Sequence, residues 1–228
     1  MAKNGISDNW TNAESTERRL QMINCQLRTS DVSDSEVLAA FMAVPREAFV
    51  AAGLARQAYL DRDILAAGAT SRKLLAPRTV ARLVQAAAVK PGDRALEVGG
   101  GSGYAAALLS ELGAAVVALE SDPGAVAAAR SALSGRDGVS VIQGDLDKGA
   151  PGHGPFDVIV LNGAFEAAPQ GLLDQLAEGG RFVGLDAQAG AIRGVLIEKT
   201  GKGTSARSLF DASGDVLPGL AKAASFAF

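Results

Sequence analysis

Two hydrophobic rhythms divide the chain. Between about residues 15 and 90, apolar positions recur at the three-to-four spacing of helices, and strand alternation is missing. Glu17 to Arg28 carries Leu20, Met22, Ile23 and Leu27 in that spacing, with Cys25 among them as a small core or half-buried residue. Ser33 and Asp34 are candidate caps for a second helix whose apolar face is Val37, Leu38, Phe41 and Met42. That helix should stop at Val44-Pro45, because a residue before proline leaves the helical region. Val50 to Leu75 is loop-rich, with a turn at Gly68-Ala69-Thr70-Ser71. Pro77 suits the first turn of a third helix through Ala88, and Pro91-Gly92-Asp93 marks a turn.

From Asp93 onward, short apolar runs alternate with helical segments. Strands are expected over Arg94–Val98, Ala115–Leu119, Val139–Gln143, Phe156–Leu161 and Arg181–Leu185, with helices over Tyr104–Leu112, Pro123–Leu133 and Pro169–Ala177. This alternation predicts an α/β fold with a doubly wound, mostly parallel sheet covered on both faces. Ala191–Lys199 and Ser205–Asp211, joined by a Gly-Lys-Gly turn, read as a C-terminal antiparallel hairpin. The expected organisation is a flexible tail (1–14), a helical region on the substrate side (15–90) and an α/β domain (91–228) forming one globular unit.

Composition narrows the chemistry. The chain of 228 residues holds one His and one Cys, His153 and Cys25. A structural zinc site needs three or four such ligands, and a disulfide within the chain needs a second cysteine. His153 lies in a Gly/Pro-rich stretch, poorly suited to orient the base of a nucleophile. The net charge of −3 gives no broad positive field for nucleic acid, and no apolar run approaches the roughly 20 residues of a membrane span. The polar start of the chain lacks a signal-peptide core, so a cytoplasmic protein is expected.

The sharpest motif is Leu96-Glu97-Val98-Gly99-Gly100-Gly101-Ser102-Gly103-Tyr104, between an expected strand and an expected helix. Glycines there permit a tight turn and close approach of a ligand to main-chain N–H groups. A dinucleotide fingerprint wants glycine where this chain has Tyr104, which argues against a nicotinamide-dependent oxidoreductase. Gly99, Gly101 and Gly103 at every second position, after Glu97, resemble instead the S-adenosylmethionine loop of class I methyltransferases. Glu120, with Ser121 after it, ends the next strand, where a carboxylate can accept hydrogen bonds from both ribose hydroxyls. Gly144-Asp145-Leu146 resembles the turn that contacts adenine in methyltransferases. Asn162 follows the fourth strand at its carboxyl end.

The whole chain from about Met22 resembles the protein-L-isoaspartate O-methyltransferase family. Matching runs are Met22 to Leu27, Ala43-Val44-Pro45-Arg46-Glu47-Ala48-Phe49-Val50, Ala58-Tyr59-Leu60-Asp61, the glycine loop, Gly154 to Val160 and Leu173 to Arg181. The resemblance implies methyl transfer from S-adenosylmethionine, leaving S-adenosylhomocysteine, to the free α-carboxylate of isoaspartyl sites in damaged proteins. It implies a protein or peptide acceptor, or a small carboxylate, and a monomer or weak homodimer. The family carries Gln-Thr-Ile-Ser before the third helix, and its Ser is the principal catalytic side chain. This chain has Arg72-Lys73-Leu74-Leu75, so that position is Leu75. Asp61 and the loop of Thr70, Ser71, Arg72, Lys73 and Leu75 are expected to face the acceptor. A same-fold methyltransferase with another acceptor, and a catalytically silent cofactor-binding protein, stay open on the sequence.

Overall fold

The computed structural model describes residues 11–222. Helix α1 (Asn12–Met22) starts on a capping box: the Thr11 hydroxyl accepts from the Glu14 amide, and the Glu14 carboxylate accepts from the Thr11 amide. The expected tail of 1–14 is therefore too long, because residues 11–14 are tied into this helix start. Residues 1–10 lie outside the described residues. The helix continues through a π-helical turn (Ile23–Leu27) and a 3-10 turn (Arg28–Ser30), ending where Asp31 takes a left-handed φ of 64°. The widened turn puts Met22, Ile23 and Leu27 inward, while Leu20 stays 49% exposed. Cys25, expected to be at least half-buried, is exposed on the outer side of that turn.

Helix α2 (Ser35–Ala43) is capped by the Asp34 side chain, which accepts from Glu36 and Val37 amides, and it ends at Val44 before Pro45 as the sequence requires. The loop-rich stretch holds one regular feature, an antiparallel pair of two-residue strands, β1 (Ile64–Leu65) and β2 (Lys73–Leu74). Strands this short carry no alternation to read. Helix α3 (Pro77–Ala87) has proline in its first turn.

Beyond it run β3 (Arg94–Val98), α4 (Tyr104–Glu111), β4 (Ala115–Glu120), α5 (Pro123–Ala132), β5 (Val139–Gln143), β6 (Phe156–Phe165), α6 (Gln170–Leu173), β7 (Leu176–Asp186), β8 (Arg193–Thr200) and β9 (Gly203–Asp211). One seven-stranded sheet has the order β5-β4-β3-β6-β7-β8-β9. Strands β5 to β7 in that order are parallel, and β8 and β9 add antiparallel neighbours in chain order. Helix α6 is a single turn where Pro169–Ala177 was expected to be helical. The reason is local: the Gln175 carbonyl accepts from the Phe156 amide and Leu176 pairs with Phe156, so the chain joins the sheet early.

Alternate strand residues face two cores. Ala95, Val158, Val160 and Val183 point to a large core shared with the N-terminal helices, α3 and α4. Leu96, Val98, Ile159, Leu161 and Phe182 point to a smaller one. That second face is covered by α6 and by the chain after β9, through Leu172, Leu173, Leu217 and Leu220, rather than by a full helical layer.

Candidate active site

The strand order reverses between β3 and β6, and in open α/β sheets ligands bind at the carboxyl ends of strands at such a switch point. Here stand the glycine loop after β3 and Asn162 near the end of β6. Gly101 holds φ +66°, and a Cβ on it would lie 2.7 Å from the Ala66 Cβ. The backbone turn and the approach of the 64–74 segment both require glycine there. Ser102, fully buried, donates its hydroxyl to the Phe49 carbonyl and pins the loop to the N-terminal region. Tyr104 does not face the loop's mouth. Its buried ring packs edge-on to Phe41, tilted on Phe49, and 4.9 Å beneath the Arg46 guanidinium carbon. The Tyr104 side chain, expected on the cofactor side, thus packs in the core, because α4 turns its first residue inward.

Glu120 is 2% exposed at the end of β4 and is held from several sides. Its Oε1 accepts from the Ser121 amide at 2.7 Å, the Asp122 amide at 3.0 Å and the Ser121 hydroxyl at 3.3 Å. Its Oε2 accepts from the Gly101 amide at 2.9 Å and Arg72 Nε at 3.2 Å. Arg72 is mostly buried in this pair. Beside it, Glu97 Oε1 accepts from Asn162 Nδ2 at 2.6 Å, and both residues are buried. Burial pushes the Glu97 carboxyl up to about 8, with the Glu120 charge adding to the rise and Arg72 opposing it. Gly100 lies directly against that carboxyl, where any Cβ would collide with it.

Leu146 is buried and reaches the space above Gly99, while Asp145 sits at the rim paired with Lys148. The acceptor-side residues are dispersed. Thr70 and Ser71 are exposed at a turn, and the Thr70 amide donates to the Asp122 side chain that also caps α5. Asp61 pairs with Arg78 at 3.2 Å along a neighbouring groove that includes Asp63. Lys73 pairs with Asp215 at 3.0 Å. Leu75 is buried 3% exposed, so its side chain brings no polar atom to the cleft bordered by Asp63, Arg72, Lys73, Asn162, Asp215 and Leu217. Burial raises the Asp63 carboxyl above its usual range, while the Ala76 amide donating to it at 2.7 Å opposes the rise.

Sequence reasoning missed Arg46, Ser102, Asp215 and Leu217. Arg46 is fully buried; its Nε donates to the Ala58 carbonyl at 2.9 Å and its Nη2 to the Leu75 carbonyl at 2.8 Å. Its signal in the sequence was the Val44-Pro45-Arg46-Glu47-Ala48-Phe49 run, which was matched to the family without a role for the arginine. Asp215 and Leu217 arrive from beyond β9, and no local pattern announces their place on the sheet.

A mostly parallel sheet with a glycine loop after β3, a buried carboxylate at the end of β4 and a switch point between β3 and β6 defines a class I methyltransferase fold. The sequence profile of the family described as protein-L-isoaspartate(D-aspartate) O-methyltransferase matches residues 17–203. A protein-L-isoaspartate O-methyltransferase of Methanoculleus marisnigri is 41% identical over 168 residues, 72% of this chain and 75% of its own. That of Koribacter versatilis is 42% identical over 168 residues, 72% of this chain and 74% of its own. A solved protein-L-isoaspartate O-methyltransferase superposes with a TM-score of 0.78 at 25% identity, over 89% of this chain and 67% of that one. A Plasmodium falciparum structure described as a protein-L-isoaspartate O-methyltransferase, in complex with S-adenosyl-L-homocysteine, shares the fold with a TM-score of 0.74 at 21% identity, over 88% of this chain and 97% of that one. The chain belongs to the protein-L-isoaspartate(D-aspartate) O-methyltransferase family.

Proposed function

We propose that this chain is an S-adenosylmethionine-dependent carboxyl methyltransferase acting on isoaspartyl sites of proteins. Family membership supports the activity, and the carrying observation is the buried Glu120 carboxylate fixed at the mouth of the glycine loop. The donor set fits the cofactor. Glu120 would hold the ribose hydroxyls, with Ser121 beside it; the loop from Gly99 to Gly103 would let the cofactor approach the backbone. Leu146 and Asp145 would flank adenine, and Glu97 with Asn162 would face its amino-acid portion. When bound, the cofactor supplies a strongly electrophilic methyl group on a sulfonium.

The acceptor carboxylate is ionised at neutral pH, so no general base has to withdraw a proton from it. What the protein must supply is alignment and exclusion of water. Leu75 contributes exclusion rather than a hydroxyl. Lys73 and Arg72 are the cations at the mouth that would attract the acceptor. Asp61, Thr70 and Ser71 border the approach. A second reading, transfer to a different carboxylate, draws its support from the apolar Leu75.

The test has two arms. Calorimetry with S-adenosylhomocysteine should show binding that Glu120→Ala weakens by about 1.5–3 kcal/mol, the usual loss of a hydrogen bond to a charged group. Loss below about 0.5 kcal/mol removes Glu120 from the ribose. Labelled methyl transfer to an isoaspartyl peptide tests the acceptor.

A further inference from the structure

Two features of this chain stand where a cofactor would have to go. The first is Arg72. A carboxylate offers about four lone-pair positions, and Glu120 already accepts from three backbone amides, the Ser121 hydroxyl and Arg72 Nε. Ribose hydroxyls gain Glu120 only if a donor leaves. The three amides are fixed by the backbone of the glycine loop and the start of α5. Arg72 is the donor at Oε2 that a side-chain rotation can remove. Its stem lies across the loop as well, with Cγ 3.1 Å from where a Cβ on Gly101 would stand.

The second is Leu217. After β9 the chain runs back over the carboxyl ends of the sheet: the Leu217 amide donates to the Ala164 carbonyl, and the Ala164 amide donates to the Asp215 carbonyl, both at 2.9 Å. This seats the Leu217 side chain, 2% exposed, directly on the two strand ends that flank the switch point. A Cβ on Gly99 would lie 2.7 Å from one Leu217 methyl, and a Cβ on Gly163 would lie 2.6 Å from the other. The two features are joined. Lys73, next to Arg72 in sequence, pairs with Asp215, two residues before Leu217. That clasp is solvent-exposed on both sides, at 46% and 64%, where an ion pair contributes little, so its opening costs little.

We propose that Arg72 and Leu217 form a gate on the cofactor cleft, clasped by Lys73 and Asp215: cofactor entry releases Arg72 from Glu120 and lifts Leu217 from Gly99 and Gly163. The proposal rests on the cofactor reading above and adds its regulation. A protein that binds only in its open state shows an affinity reduced by the open fraction, so loosening the gate tightens binding. A residue needed merely for structure would do the reverse. Arg72 and Asp215 are thus positioning residues, setting how often the seat is free.

The experiment measures S-adenosylhomocysteine binding by calorimetry and its association rate by stopped flow, on the full chain and on Arg72→Ala, Arg72→Lys, Asp215→Asn and Glu120→Ala. Arg72→Ala should bind about tenfold or more tightly than the parent, by loss of a competing charge-assisted bond. Asp215→Asn changes an exposed side chain and should leave folding intact; it should bind about twofold to fivefold more tightly, through faster association. Arg72→Lys, keeping the charge, should stay nearer the parent than Arg72→Ala. If the parent binds, Glu120→Ala weakens it, and either Arg72→Ala or Asp215→Asn binds no more tightly than the parent, the gate is overturned while the cofactor reading stands. If none of the proteins binds, the cofactor reading fails and the gate fails with it.

Discussion

Glu97 is the side chain whose surroundings set the most specific expectation. Its carboxyl is pushed from 4.5 up to about 8 by burial and by the neighbouring Glu120 charge. The fold accommodates the protonated form, so its contribution to stability is fully present below the unfolded value and is lost as pH rises through about 8. Urea-unfolding midpoints should fall as pH rises across that window, and Glu97→Gln should flatten the fall; an unchanged slope in the variant would assign it to other groups. Gly101 gives a second expectation. Gly101→Ala places a side chain at φ +66° and 2.7 Å from the Ala66 Cβ, and should lower stability by at least about 1 kcal/mol, read as a drop in Tm. Glu97, Gly101 and Glu120 were legible in the sequence because each stands at a strand end defined by local pattern. Arg72 was not placed on Glu120, because that pair spans 48 positions and depends on how a loop without periodicity folds back.

Elements were read well where one hydrophobic period held over several turns or residues. Strands β3 and β5 start and stop where the alternation does, and α2 stops where Pro45 dictates. Extensions and losses came from partners that pattern does not encode. Strand β4 reaches Glu120 by pairing with Gln143, β6 runs on to Phe165 with the help of Val216, and α6 yields to the pairing of Leu176 with Phe156. The segment carrying Leu75 is held the same way, from a distance. Arg46 donates to the carbonyls of Ala58 and Leu75 across the base of the cleft. Arg46→Ala should cost about 3 kcal/mol or more, as two hydrogen bonds to a buried charge are lost. Amide exchange should quicken at Ala66 and Ala76, whose N–H groups bond to Arg72 and Asp63 in that segment. Exchange unchanged at both would mean the segment is held by its leucines alone.

At the scale of the molecule, the sheet gathers the glycine loop, Glu120, Leu146 and Asn162 at the carboxyl ends of β3, β4, β5 and β6. The thick helical layer lies on one face and the thin cover of α6 and the returning C-terminal chain on the other. The sequence foretold the parallel sheet and its hairpin but not this asymmetry, since the thin side is built from irregular segments. Among the described residues no helix is long and apolar enough to cross a membrane. Glu120 lies buried at the end of β4, and Leu75 lines the neighbouring cleft with an apolar side chain. The most direct measurement is labelled methyl transfer from S-adenosylmethionine to an isoaspartyl peptide and to its normal aspartyl twin, in parallel, with Glu120→Ala as the control. Isoaspartyl specificity predicts base-labile methyl ester on the isoaspartyl peptide, little on its twin, and loss of the signal in the variant. Equal labelling of the two peptides, or none on either at high enzyme concentration while cofactor binding is intact, would contradict it.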